Sequence, residues 1–437
     1  MSLRSITGVV LTAVLAAGSA TACGGSGDDS SVQVAVLWSG TELTRFREVV
    51  DGFEHDKPGI RVEAISTGDD MDGFLRARAR AGNLPDVAVL SRPGLIGSYA
   101  DRGWLQPLSE ELADRYAPFW EDLGRDRNPD GPLYGAWIKG SYKSLFWYRP
   151  ADLAAADAPT NWETFETLVR DRAEPGGPAP LAIGAADAWV LTDWLENLLL
   201  AHSATDPDLY LALARGEPRW CEQPVMEAFD DLATLWGTDN AIVGGGERAF
   251  LTQFDESVIQ VAATGEGVML QGSEFVQALT GGVLAEGALH EAQEPLGSFP
   301  FPSPTPVQPV ILGGDVAVVM TGSGRGEDLV SWLAQPGSFT SWIEAGGYLS
   351  PVLNAAGDYP DPTGDYAPLV AQPGADAQFD LSDQLGGEVA RRIGPELQSL
   401  FSAVAFGSVS GGDEASALRT AREGASRLNE AAGGHAC

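Results

Sequence analysis

The chain has 437 residues, of which 44% are hydrophobic and 20% charged, and it carries a net charge of −34 at pH 7. That length is too great for one ordinary core and predicts two lobes, while the composition excludes a disordered chain. The negative charge excludes nucleic acid and an electrostatic grip on anionic lipid, and beyond residue 25 no stretch reaches the roughly 18 apolar residues of a membrane-spanning helix.

At the start, Arg4 supplies positive charge, Ile6 to Ala17 is apolar, and Ala20-Thr21-Ala22-Cys23-Gly24 leads through small residues into a cysteine. Residues 1–22 therefore read as a targeting segment outside the fold. The exit resembles a bacterial lipoprotein processing box, in which Cys23 is lipidated and anchors the mature chain on the extracellular face of the cell membrane. Ala20 stands where leucine is usual, and an ordinary secretory signal cut at the same residues is the alternative. Gly, Ser and Asp make residues 23–31 a flexible tether. With Cys23 set aside, Cys221 and Cys437 are an even pair in an oxidising compartment, either bonded to each other or two free thiols.

Residues 32–38 form a buried strand by composition, and Ser39-Gly40-Thr41 turns into a helix with the apolar stripe Leu43, Phe46, Val50 and Phe53. A second strand is expected over 60–65, a helix over 69–81 and a third strand over 87–90. This alternation predicts a parallel α/β sheet, whose ligands sit beyond the carboxyl ends of the strands, at Trp38 to Thr41 and at Ser91 to Pro93. Lys139 to Tyr148 holds two of the three lysines in the chain, the third being Lys57. It then turns strongly β-forming through Leu145, Phe146, Trp147 and Tyr148, as a strand crossing between lobes would. The plainer reading is a core strand with a basic, wet start.

Helices are expected over 162–172 and 192–202, the second opening like a capped helix at Thr192 with Asp193 in its first turn. Further helices over 222–236 and 250–261, a strand over 268–271, a proline-rich crossing over 299–309 and a strand over 316–320 follow. Helices over 327–334 and 338–345 rejoin the first lobe, Gly346 to Pro351 reads as a third crossing, and helices over 389–401 and 415–432 return to the second lobe. The division is an N-terminal lobe of 32–141 and 303–346 and a C-terminal lobe of 142–302 and 347–437.

Together these stations resemble the extracellular solute-binding proteins of carbohydrate ABC importers. The likeness is carried by Trp38-Ser39-Gly40, Phe53-Glu54-x3-Pro58-Gly59-Ile60-x-Val62, Ala81-Gly82-x2-Pro85-Asp86-Val87-Ala88, Lys143-Ser144-Leu145-Phe146-Trp147-Tyr148, Thr192-Asp193-Trp194-Leu195-Glu196-Asn197 and Phe379-Asp380-x-Ser382-Asp383. The lysine-serine crossing, the Thr-Asp-Trp station and the late Asp-x-Ser-Asp station look like the α-glucoside-binding group. Gln271-Gly272-Ser273-Glu274-Phe275 and Arg92 depart from that group's pattern. The resemblance implies a periplasmic-binding-protein-like fold of two α/β lobes, joined by three inter-lobe crossing segments and closing on a sugar by hinge motion. It also implies a lipid-anchored receptor acting as a monomer, with a small-molecule sugar as ligand and ABC permease subunits as partners.

A sugar offers hydroxyls at its edge and weakly apolar C–H faces, so its cleft needs carboxylates, amides and rings. Carried over by position, the candidates from the first lobe are Trp38, Ser39, Gly40, Thr41 and Arg92. Tyr142 and Lys143 lie on the crossing, Asp187, Trp189 and Asp193 come from the second lobe, and Glu274, Phe275, Asp315, Asp380 and Asp383 follow. Duller roles stand beside them: Trp38 and Trp194 as core, Asp86 as a turn residue, Asp193 as a first-turn acid. The histidines His55, His202, His290 and His435 lack zinc-site spacing. Gly322-x-Gly324-x-Gly326 is not a dinucleotide fingerprint, so neither metal nor cofactor is expected. The rival readings are a secreted glycoside hydrolase, whose paired carboxylates would line a similar cleft, and a surface sugar-binding lipoprotein without an importer.

Overall fold

The computed structural model describes residues 31–68, 70–125, 128, 130–285, 295–406 and 414–437. Segment 1–22, Cys23 and the rest of the tether up to residue 30 lie outside the described residues.

Two sheets organise the chain. The first begins with β1 (Ser31–Val36), β2 (Arg61–Ser66) and β3 (Val87–Leu90), with β1 paired in parallel to both of the others. Continuous apolar runs such as Val87-Ala88-Val89-Leu90, buried at every position, suit strands covered on both faces. Between them the helix Gly40–Asp56 buries Phe46, Val49, Val50 and Phe53. The helix Met71–Arg80 starts at Asp70, whose carboxylate accepts from Gly73 N–H. β4 (Gly135–Tyr142) joins the same sheet, and β5 (Leu145–Tyr148) belongs to the second. The stretch Lys139 to Tyr148 therefore ends one sheet and begins the other, with Lys143 and Ser144 between. The second sheet runs β6 (Ala179–Leu181), β7 (Gly267–Gln271), β5, β8 (Gly297–Pro300).

After β8 the chain returns to the first sheet as β9 (Ile311–Val319), longer at its start than the expected strand and antiparallel to β3 and β4. The two passages are tied together: Lys143 N–H donates to Ile311 O, and Ser144 Oγ accepts from Ile311 N–H, each at 2.9 Å. Because β9 is antiparallel, its beginning lies at the carboxyl edge of β3, and Asp315 arrives beside Trp38. A Cβ on Gly313 would come within 2.6 Å of Lys143 Cε, so the lysine stem crosses where only glycine leaves room.

Two expectations change. The helix over 192–202 begins at Ala188, because Asp187 is the extended residue before it, and the Asp187 carboxylate accepts from Phe254 N–H at 2.7 Å. Thr192 and Asp193 are thus interior helical positions, with Thr192 Oγ1 donating to Trp189 O. Gly346 to Pro351, expected as a crossing, stays on the first sheet: Gly140 N–H donates to Leu349 O and Tyr348 hydroxyl to Ile138 O. β10 (Gln378–Phe379) still pairs with β9, and only after Asp380 does the chain reach the helix Gly387–Ala405. That helix packs with Ala188–His202, Gln223–Trp236 and Glu414–Ala431. Cys221 and Cys437 are joined by a disulfide, Cα atoms 5.4 Å apart, beside a bond from Trp220 N–H to Asn429 Oδ1. Among the described residues no helix is long and apolar enough to cross a membrane.

Candidate functional site

The helix Ala188–His202 is apolar almost all round, as a core helix should be, yet it buries four polar residues on one face, Thr192 among them. Asp193, Glu196 and Asn197 stand at the i, i+3 and i+4 spacing that stacks side chains one above another. Asp193 Oδ1 lies 3.2 Å from Lys143 Nζ. Glu196 accepts from Leu381 and Ser382 N–H at 2.6 and 3.0 Å, and so satisfies the orphan donors that open the short helix Leu381–Gln384. Asp380 caps that same helix through Asp383 N–H and forms an ion pair with Lys143, whose ammonium is also 3.8 Å from Asp383.

Burial sets the charges here. It opposes the Lys143 ammonium, but Asp193, Asp380 and Asp383 outweigh it and hold the lysine well above its usual range. Burial pushes the Asp193 carboxyl up to about 8, with Lys143 pulling down and Asp380 pushing further up. Glu196 and Asp383 are raised by burial and by the Asp380 charge. Asp380 is lowered: burial opposes this, but the Lys143 ammonium and the donors Asp383 N–H and Ser382 hydroxyl prevail.

The second cluster surrounds Lys139. Its ammonium pairs with Glu42 and lies 5.4 Å from the Phe275 ring centroid and 5.6 Å from that of Trp342. Asp315 accepts from Trp38 Nε1 at 2.9 Å, and burial raises its carboxyl to about 6. Glu274 reaches from the end of β7 to accept from Tyr142 N–H at 2.8 Å, and burial raises it to about 7.

Beside these clusters Trp189, Phe254 and Phe275 pack together, Trp189 and Phe254 with centroids 4.8 Å apart. Trp189 and Phe275 are half-buried and Phe254 buried; Trp189 lies one helical turn before Asp193 and Phe275 directly follows Glu274. The structure thus brings Lys143, Asp193, Asp380 and Asp383 together, and separately Glu274, Phe275 and Asp315. Trp38 is fully packed between Phe46 and Trp342 and touches the site through its indole N–H alone. Tyr142 is buried against Tyr366 at the end of β4. Ser39 and Gly40 are exposed and Thr41 half-buried at the start of their helix, next to Glu42. Arg92 is half-buried after β3 and acts electrostatically on Asp383. Asp187 spends its carboxylate on Phe254, and Asp86 holds Gln33 N–H and Ser323 hydroxyl.

Sequence reasoning left out Lys139, Glu42, Glu196 and Trp342. Lys139 shares the scarcity that drew attention to Lys143, and Glu196 lies one helical step from Asp193. Nothing local distinguishes Glu42 from other first-turn acids or Trp342 from other core tryptophans. Among the described residues no group of acidic, histidine or cysteine side chains is placed to hold a metal ion.

Residues 38–338 match the profile of the bacterial extracellular solute-binding proteins. The chain belongs to that family. Among its relatives, the osmoprotective compounds-binding protein GgtB of Synechocystis sp. is 26% identical over 394 residues, covering 84% of this chain and 89% of the relative. The alpha-glucosides-binding periplasmic protein AglE of Rhizobium meliloti is 26% identical over 376 residues, covering 80% and 79%. Among solved structures, RafE in complex with raffinose superposes with a TM-score of 0.67 at 16% identity, covering 92% of this chain and 98% of that one. A chitin oligosaccharide binding protein gives 0.70 at 18%, covering 93% and 100%. These likenesses establish the two-lobe α/β fold. The family consists of solute receptors of ABC importers, so the hydrolase reading is set aside.

Proposed function

We propose that the protein is a lipid-anchored sugar receptor that closes on its ligand between the two sheet-bearing lobes and delivers it to an ABC permease. The observation that carries this reading is the pairing of two half-buried rings, Trp189 and Phe275, with centroids 6.3 Å apart, the first one helical turn from the buried Asp193 and the second next in sequence to the buried Glu274. Rings suit the C–H faces of a sugar and carboxylates its hydroxyl edge. Kinship with an alpha-glucosides-binding protein supports an α-glucoside or a small oligosaccharide as the ligand. Thr41, Arg92, Lys143, Asp315, Asp380 and Asp383 complete the wall in this reading, and Cys23 carries the lipid.

A thermal-shift screen of mono-, di- and oligosaccharides tests it, because a ligand that binds only the folded state raises the melting temperature. No response to any sugar overturns the receptor reading, and hydrolysed product would restore the enzyme. Mass spectrometry of the mature N-terminus should find a modified Cys23; an unmodified start at another residue refutes the anchor.

A further inference from the structure

The charge balance around Lys143 narrows the ligand. This step rests on the sugar-receptor reading. Asp193 at 3.2 Å, Asp383 at 3.8 Å and the directly paired Asp380 share the Lys143 ammonium, and Glu196 adds a fourth carboxyl from the same helix as Asp193. The other charged or titratable groups facing them are Arg92 after β3, Asp315 on β9 and the Tyr210 hydroxyl, which donates to Glu196. Acids outnumber cations, in a place where Asp193, Glu196 and Asp380 are wholly buried. An uncompensated buried charge is costly, so this group of carboxyls must hold protons or a further cation.

An independent sign of something missing is hydrogen bonding. Asp193 Oδ2 is buried and has no partner, although Oδ1 of the same carboxyl is engaged by Lys143. Two neighbouring amides repeat the pattern. Asn197 and Gln271 each spend their N–H on Lys143 O, while Asn197 Oδ1 and Gln271 Oε1 are buried without donors. These three oxygens are all acceptors, and a donor-rich, cationic group suits them. The Lys139 cluster likewise holds an ammonium, its own, among the rings of Phe275 and Trp342 and the carboxylates of Glu42 and Asp315.

We infer that the sugar carries a protonated amino group, seated against the free oxygen of Asp193, and that the cleft prefers aminated sugars to neutral ones and neutral ones to anionic ones. Without such an ammonium the surplus carboxyls hold protons, consistent with the raised Asp193, Glu196 and Asp383. An arriving ammonium replaces those protons, so its binding releases protons to buffer and binding of a neutral sugar does not.

The test is calorimetric titration of the whole mature protein at pH 7 with two matched pairs, D-glucose against D-glucosamine and trehalose against trehalosamine, plus D-glucuronate as the anion. In the pair that binds, the amine should bind about tenfold tighter, near 1.4 kcal/mol, with proton release seen as a buffer-dependent heat. Glucuronate should bind weakest. Asp193→Asn should bring the amine-to-neutral ratio close to one, whatever it does to the neutral sugar. Should that variant fail to fold, Asp383→Asn is expected to shrink the ratio in the same direction, and proton release by the unmodified protein needs no variant. Neutral members that bind as tightly as their amines, or amine binding without proton release, overturn this inference alone. Silence from both pairs overturns it together with the glucoside reading.

Discussion

Lys139 and Lys143 lie on one continuous stretch of chain, yet the molecule holds them in different ways. The partners of Lys143 are fixed by backbone: Asp380 caps the short helix Leu381–Gln384, and Glu196 receives that helix's free N–H groups. The partners of Lys139 are gathered from both sides, with Glu42, Asp315 and Trp342 from the first-sheet side and Glu274 and Phe275 from the loop after β7. One cluster is a rivet where the chain crosses between sheets, the other a contact between the first-sheet side and the loop after β7. The two lysines thus differ in how far their counter-ions are exposed: Glu42 keeps part of its surface in solvent, whereas Asp193 and Asp380 keep none.

The largest expected effect comes from breaking the rivet. Lys143→Met leaves Asp193 and Asp380 buried without their cation and should cost about 3 to 5 kcal/mol of stability in chemical denaturation. Lys139→Met should cost less, because its partner Glu42 is partly exposed and can be rehydrated as the cleft opens. Equal losses for the two would erase the distinction drawn here. Next, Glu196→Ala removes the acceptor for two main-chain donors and the Tyr210 hydroxyl, and about 1.5 to 3 kcal/mol is expected from the same measurement. A neutral outcome would show that water replaces it.

On the open side of the comparison, Trp189→Ala should weaken sugar binding by about 1 to 3 kcal/mol in calorimetry while stability changes little, since the ring is only half-buried. Unchanged affinity would make Trp189 a support for Phe254 rather than a ligand contact.

The smallest effect expected is a pH slope. Asp193, Glu274 and Asp315 have folded values of about 8, 7 and 6, above the ordinary carboxyl range. Folding thus takes up protons at these groups. Their contribution is complete below about pH 4 and is lost as pH rises through 6, 7 and 8 in turn. Asp380, which is lowered, acts in the opposite sense and only in acid. The melting temperature should therefore fall between pH 5 and pH 8.5. Glu274→Gln should flatten the middle of that fall and Asp193→Asn its upper end, and a rise over this range would refute the assignment.

Much of this was legible in the chain. The strand over 87–90 and the helix over 162–172 stand where apolar period and turn residues put them. The crossing at Lys143 was visible as a basic start on an aromatic strand. The helix at 188–202 was misread at its beginning because Thr-Asp imitates a cap, whereas the true preceding residue, Asp187, gives its carboxylate to Phe254, far along the chain. Gly346 to Pro351 has the glycine and proline of a crossing, but Tyr348 fills a core position under β4, and packing overrides the turn signal.

By itself the sequence determined the alternation of strands and helices, the pair of cysteines, the scarcity of lysine and the family, because each is written in local period, residue count or ordered motifs. Only the tertiary structure decided which acid answers which lysine. Trp38 and Asp315 are separated by 277 residues and Lys143 and Asp380 by 237, and each pair meets because β9 runs antiparallel and β10 returns to its edge. No local pattern encodes such a meeting, since the energy of a buried charge depends on what the whole fold places within a few ångströms of it.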